Sequence, residues 1–531
     1  MNSRQSLQSL DGRTFDVAII GAGMNGASAA QQLAAEGYDV LLVDKSDFCS
    51  GSSSKSGRLL HCGLRYLAPG SSIWEFVRSP NKFRAAAKMA AAAMKARSEF
   101  VETTPERATA YQCAFPVYKN SIYRRWQTEL AFRMLEKLGD GKVPLDYKWH
   151  SPKNIDKVPL AGALRDRDQM LGLATYREYQ FDWPERICMD MVMDTERMGS
   201  TVRNYTSVTR LRREGESWQL ELADSLANDP ADRAVVRARR VLNMAGIWID
   251  KVNSRASNGA KRRIMGTKGV HIMVRMPPEC AGHAVHTFNR LNEGYSCIPY
   301  RGMHSIGPTE TLFEGDPDDI KPLDDEIDFL IAETNHIFPS MKLTRDNVLF
   351  SWAGVRPLGA DDAYPKGKRS REIHDLSSDG MPGIYAMTAG PIMTHRSAGR
   401  ELADLIASQI SPTKSKNTPN YNLSAGSTVW KHATSPAKLD DLSEELLSTV
   451  VENEKVYTLT DAMFRRFGLG WTPRLGYDEA PKMAKLIGEL CNWDDAKIQA
   501  EANAYRSYLM TDYRMRPDHN AQQVKLGVGS R

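Results

Sequence analysis

The chain has 531 residues, more than one hydrophobic core usually serves, so two or three domains are expected. Hydrophobic residues at 41% and charged residues at 25% fit a globular protein, and a net charge of +5 is too small to argue for a nucleic-acid partner. Seven irregularly spaced cysteines without a C-x-x-C pair point to free thiols rather than a disulfide frame or a zinc site, and no run of about 18 apolar residues predicts a membrane-spanning helix.

Residues 1–14 are polar and lack the apolar centre of a signal peptide, so the expected location is cytoplasmic, or peripheral on the cytosolic face of a membrane. Asp16 to Ile20 reads as a short apolar strand. Gly21, Gly23 and Gly26 follow at G-x-G-x-x-G spacing, and Ala27 to Glu36 reads as a helix. A second apolar run, Val40 to Val43, ends in Asp44, 18 residues past Gly26. That order is the layout of a dinucleotide site. Gly21 allows the tight turn, Gly23 lets a pyrophosphate approach the backbone, and Gly26 lets helix and strand pack closely. The helix start offers N–H groups to the phosphate, and the acid suits a ribose hydroxyl.

The segment from Phe48 to Tyr66 begins rich in Ser and Gly, whose hydroxyls suit phosphate and ribitol oxygens, and ends apolar. Residues 73–104 predict one long helix with interspersed Lys and Arg, a solvated face or one resting on anionic lipid. Residues 121–138 predict an amphipathic helix and 186–199 another. Strand-like runs follow at 201–210, 218–223 and 234–243, the last running into Ala245-Gly246. More strands are expected at 270–274, 294–299, 303–307, 348–355 and 383–389, with a helix at 323–338. Gly390-Pro391 opens a predicted helix over 392–410. Residues 411–430 read as a linker, 438–513 as helical, and 514–531 as a loose tail. Later strands of the first sheet returning near 241–246 and 383–390 favour FAD over NAD, whose domain is usually one continuous block.

Several blocks resemble the FAD-dependent glycerol-3-phosphate dehydrogenase family, a branch of the amino-acid and amine oxidase flavin-fold superfamily. They are Ile19 to Ala27, Leu60-His-Cys-Gly-Leu-Arg-Tyr-Leu67, Asn243 to Trp248, Lys268-Gly-Val-His271, Ile306 to Glu310, Gly354-Val-Arg-Pro-Leu358 and Glu454 to Arg466. The resemblance implies an α/β protein: an FAD-binding Rossmann-like domain with an antiparallel-sheet substrate domain and a C-terminal helical domain. Its expected segments are 12–60, 186–265 and 350–410 for FAD, 61–185 and 266–349 for substrate, and 431–531 for the helical domain. The implied reaction oxidises the secondary alcohol of a polyol phosphate, glycerol 3-phosphate or a longer relative, by hydride transfer to flavin N5. Electrons then pass to quinone or another acceptor. An amine or amino-acid oxidase on the same fold is the alternative. Peripheral membrane contact and a homodimer are left open.

For FAD the resemblance implies Gly21, Ala22, Gly23, Met24, Asn25, Gly26, Asp44, Lys45, Ser53, Ser54, Ser56, Arg58, Leu59, Leu60, Val208, Ala245, Gly246, Gly390, Pro391 and Ile392. For an anionic substrate it implies Arg65, Tyr66, Lys268, Thr309 and Arg356, since an arginine fork can give a phosphate two bonds at once. His61 and His271 are the candidate proton acceptors beside Arg356 in the catalytic set, because imidazole titrates near neutrality. No metal site is expected. One departure stands out: Pro391 takes the place of a lysine the family usually carries there, which removes a cation from the expected substrate site.

Overall fold

Two β-sheets and a C-terminal group of helices organise the protein, whose computed structural model describes residues 5–67, 74–139, 141–226, 232–421 and 439–518. The unbroken apolar runs Thr14–Ile20 and Val40–Val43 are buried almost throughout, as strands covered on both faces must be. They pair in parallel. Thr14–Ile20 also pairs in parallel with Arg233–Asn243, and that strand with Ile384–Thr388. Segments more than 200 residues apart therefore share one sheet. An antiparallel pair, Thr206–Glu214 and Ser217–Asp224, extends it beside the first half of Arg233–Asn243. The helices Met24–Ala35, Pro184–Arg197 and His395–Ala407 pack together over one face.

The second sheet has ten strands. Its pairs are antiparallel except that His283–Phe288 runs parallel to Ala108–Tyr118. Val348–Gly359, expected from residue 350 among the nucleotide segments, instead pairs along the whole of Ile264–Val274. Leu59–Leu60 likewise joins this sheet, beside Met170–Phe181. The chain thus passes from the nucleotide turn straight into the floor of the second sheet, which brings the two functions together.

Helix boundaries differ from expectation where proline intervenes. The long helix breaks into Trp74–Arg78 and Pro80–Thr103, because Pro80 lacks the N–H that would continue the ladder. Pro391 precedes a 3₁₀ turn, Ile392–Thr394, and the α-helix begins at His395. The described part of the expected linker is tied down: the Thr413 hydroxyl donates to Asp16 at 2.6 Å and Lys414 pairs with Asp39. Residues 422–438 and 519–531 lie outside the described residues.

The C-terminal helices Glu444–Asn453, Ala480–Cys491 and Asp495–Asp512 surround an aromatic core. Trp471 there packs on Trp352 of the second sheet at 5.6 Å between ring centroids.

Candidate active site

The nucleotide turn is held by backbone contact. Met244 donates its N–H to Ile20 O at 2.8 Å, so residues 244–246 run beside the glycines. Gly21 has φ +106°, and a Cβ there would meet Met244 O at 2.6 Å. A Cβ on Gly26 would meet Gly21 O at 2.0 Å. Gly26→Ala should therefore give colourless protein, read as loss of flavin absorbance after purification; yellow protein would show that the turn can yield. Ser53 Oγ accepts the N–H of Met24 at the helix start, and Asp44 accepts from Ala22 at 2.7 Å and from Ser46 at 3.0 Å.

This turn opens into a cavity of about 890 Å³ that continues onto the second sheet. Every expected nucleotide position borders it except Ala22, Ser54 and Leu60. Ala22 stands behind the surface with its N–H on Asp44, and the Ser54 hydroxyl caps the backbone carbonyls of Ser50 and Gly51. Leu60 is fully buried in the core behind the turn. Arg58 borders the cavity, but its charge is not available to a phosphate. The guanidinium makes a two-pronged pair with Glu185, at 2.8 and 3.0 Å, and lies 3.8 Å from the Trp471 ring centre. Asp44 faces the cavity, and burial pushes its carboxyl up to about 6 despite the two backbone donors. Its remaining lone pairs suit the hydroxyls of a ribose, so this arm fits a dinucleotide.

At the other end, strand alternation decides which side chains reach the cavity. On Ile264–Val274, Gly269 and His271 border it; Lys268 faces the opposite way and is buried with its Nζ 2.7 Å from Glu326. Thr309 is also turned aside, its hydroxyl accepting the Val270 N–H at 2.9 Å. Neither is placed to touch a ligand in the cavity. Lys268→Met should cost about 3 kcal/mol of stability, because the buried Glu326 would lose its cationic partner and keep only the Leu323 N–H and the Thr311 hydroxyl. The same variant should leave the substrate KM unchanged; a raised KM would return Lys268 to the site.

Arg356, Arg65 and Tyr66 all border the cavity. The absence of a side chain at Gly269 makes room for the Arg356 guanidinium, whose Nη2 would lie 2.9 Å from a Cβ there. Arg356 is deeply enclosed, and its Nη1 has no partner among the described residues. Burial, then the like charges of Arg369 and Arg65, push it down to about 10. Arg65, on the short helix Leu64–Leu67, is enclosed by protein yet exposes its side chain to the cavity; burial and Arg369 lower it as well. Arg369 itself pairs with Glu310, and Lys366 pairs with Glu293. Burial would raise the Glu310 carboxyl, but Arg369, Arg356 and Arg65 outweigh it and hold it low.

The two candidate imidazoles differ. His61 Nδ1 accepts the Gly63 N–H at 3.1 Å, so its proton sits on Nε2 and the nitrogen a base needs is occupied. His271 stacks on Trp352, centroids 4.9 Å apart and planes 7° apart, and its Nδ1 has no partner among the described residues. Burial, with Arg356 next, pushes His271 down to about 3, so its ring is neutral across the physiological range.

Sequence reasoning missed Arg369, Lys366 and Trp352. The first two lie in the basic run Lys366-Gly-Lys-Arg369, which matches none of the resembling blocks. Three further cavity residues, Tyr176, Glu178 and His286, carried no motif.

A family model described as FAD dependent oxidoreductase matches residues 16–405. The glycerol-3-phosphate dehydrogenase of Synechocystis sp. is 26% identical over 550 residues, covering 93% of this chain and 96% of its own. The aerobic glycerol-3-phosphate dehydrogenase of Staphylococcus haemolyticus is 28% identical, covering 79% and 73%. The solved glycerol-3-phosphate dehydrogenase of Bacillus halodurans, complexed with FAD, superposes with a TM-score of 0.70 at 21% identity, over 95% of this chain and 98% of that one, which shows a shared fold.

Proposed function

Because the chain belongs to the family of FAD-dependent oxidoreductases, we propose that its substrate is a polyol phosphate whose secondary alcohol it oxidises, glycerol 3-phosphate being the reference compound. The charge balance of the site carries this reading. Once Arg369 is paired with Glu310, Arg65 and Arg356 remain without a hydrogen bond or ion pair among the described residues. Two cations match a phosphate monoester, which carries about −1.5 to −2 at pH 7. An amino-acid carboxylate would neutralise only one, and its ammonium would be repelled by the other. The same balance therefore disfavours the amino-acid oxidase alternative.

FAD, when bound, supplies the acceptor for the two electrons of the alcohol. Arg65 and Arg356 hold the phosphate, Tyr66 at the cavity wall orients a substrate oxygen, and the neutral His271 takes the hydroxyl proton on Nε2, the nitrogen on the side of the cavity-lining Gly57. Trp352 fixes the plane of that imidazole by stacking. Contact with a membrane surface is supported by exposed apolar side chains on two helices. Trp74, Val77, Trp126 and Leu130 are 60%, 65%, 57% and 53% exposed on two helices that each pack against Pro80–Thr103, and Arg78, Lys82 and Arg125 are exposed as well. No described helix is long and apolar enough to cross a membrane. Co-sedimentation with anionic vesicles should fall severalfold when Trp126 and Leu130 are both changed to serine; unchanged binding would remove these side chains from the account.

Anaerobic mixing of the FAD-loaded protein with glycerol 3-phosphate, longer polyol phosphates and amino acids tests the reaction itself. Bleaching of the visible flavin band by a polyol phosphate is expected. Bleaching by amino acids alone would overturn the reading.

A further inference from the structure

The cavity does not end at the arginines. It continues into a recess on the second sheet, bordered by Tyr176 and Glu178 on Met170–Phe181, His286 on His283–Phe288, and the apolar Leu64, Phe115 and Phe288. Tyr176 and Glu178 are each only 1% exposed, so this is interior space. His286 is three strands along the sheet from the strand that carries His271. Three spacings are roughly 14 Å along the sheet. A three-carbon phosphate, built from bonds of about 1.5 Å, spans only about 6 Å. A substrate filling both regions is therefore larger than glycerol 3-phosphate.

The chemistry of the recess limits what the extra part can be. His286 Nδ1 bonds the Tyr176 hydroxyl at 3.1 Å, and its Nε2 is buried with no partner among the described residues. Whichever nitrogen carries the proton, a hydroxyl satisfies Nε2, because a hydroxyl both donates and accepts. A positive extension would be repelled by Arg65, and a negative one would find no cation among these recess residues beyond the Arg65 that the phosphate uses. Phe115 and Phe288, in edge contact at 6.1 Å, offer an apolar wall to the carbon skeleton of such a group.

Resting on the polyol-phosphate reading above, we infer that this recess is a second subsite, which binds an uncharged, hydroxyl-bearing extension of the substrate. The extension is attached through a longer carbon chain, because a phosphate diester would bring only one charge to the two arginines.

The test compares kcat/KM, with an artificial electron-accepting dye and the FAD-loaded protein, for glycerol 3-phosphate and for tetritol and pentitol phosphates. At least one extended compound should exceed glycerol 3-phosphate by about tenfold, as one or two new hydrogen bonds allow. Which one does so gives the length of the extension. In His286→Leu the ratio of extended to short substrate should fall towards one, and His286→Asn should recover part of it. The ratio is internal to each variant, so a general loss of folding does not mimic the effect. Glycerol 3-phosphate as the best substrate, or a ratio unmoved by His286→Leu, overturns the subsite while leaving the polyol-phosphate reading intact. No turnover of any polyol phosphate would instead remove that reading, and the subsite with it.

Discussion

Arg356→Ala is expected to lower kcat/KM for a polyol phosphate by about 10²-fold while FAD stays bound. Arg356 has no ion pair among the described residues to satisfy its charge, and it sits beside Arg65 and Arg369 in an enclosed site. A charge-assisted bond of this kind contributes about 1.5–3 kcal/mol, or roughly 10- to 150-fold in rate, and exclusion of water strengthens it. The nucleotide arm lies at the other end of the cavity, so the yellow colour should persist. Stability should not fall, and an increase is expected, because the change removes a buried cation held near two others. Arg356→Lys should recover activity only in part, since an ammonium cannot make the two-pronged contact. Flavin reduction rates and thermal denaturation of the three proteins check this; wild-type reduction by Arg356→Ala would remove the residue from the site.

The second large effect concerns the joint between the nucleotide segments and the C-terminal helices. Asp47, three residues past Asp44, is only 1% exposed. Arg466 grips both of its oxygens, at 2.6 and 2.8 Å, Arg465 pairs with it as well, and the Asn204 side chain donates to it at 2.7 Å. Burial would raise the Asp47 carboxyl, but Arg466 and Arg465 outweigh burial and hold it well below the usual range. Removing one partner from such a group costs about 3–5 kcal/mol, so Arg466→Ala should lower the unfolding free energy by that amount and release FAD early in the transition. The sign with pH follows from the lowered carboxyl. The contribution is fully present above the ordinary aspartate value of 3.8 and is lost only as acid is added below it. A variant as stable as the parent would show that the C-terminal helices do not brace the nucleotide loop.

Much of this arrangement is legible in the chain. The Gly-rich turn, its strand and its acid declare themselves because backbone geometry admits few residues there. The apolar runs at 241–246 and 383–390 could be assigned to the first sheet because a covered parallel sheet leaves no polar alternation. The antiparallel sheet hid its facing. Lys268 and His271 belong to one resembling block, yet odd and even positions of a strand point to opposite sides, and only His271 reaches the cavity. A motif fixes spacing along the chain and leaves that choice to register. Arg369 was illegible for a different reason. It lies in a loop with no periodicity, and only folding reveals that it comes near Arg65 and Arg356. The recess around His286 depends on three strands from distant parts of the chain and has no local signature at all.

The account depends on two unpaired arginines holding a phosphate inside the cavity that receives FAD. A crystal structure of the FAD-loaded protein with glycerol 3-phosphate bound tests this most directly. Phosphate oxygens should lie about 2.7–2.9 Å from the guanidinium nitrogens of both Arg65 and Arg356. A phosphate bound elsewhere, with either arginine turned out of the cavity, would contradict it.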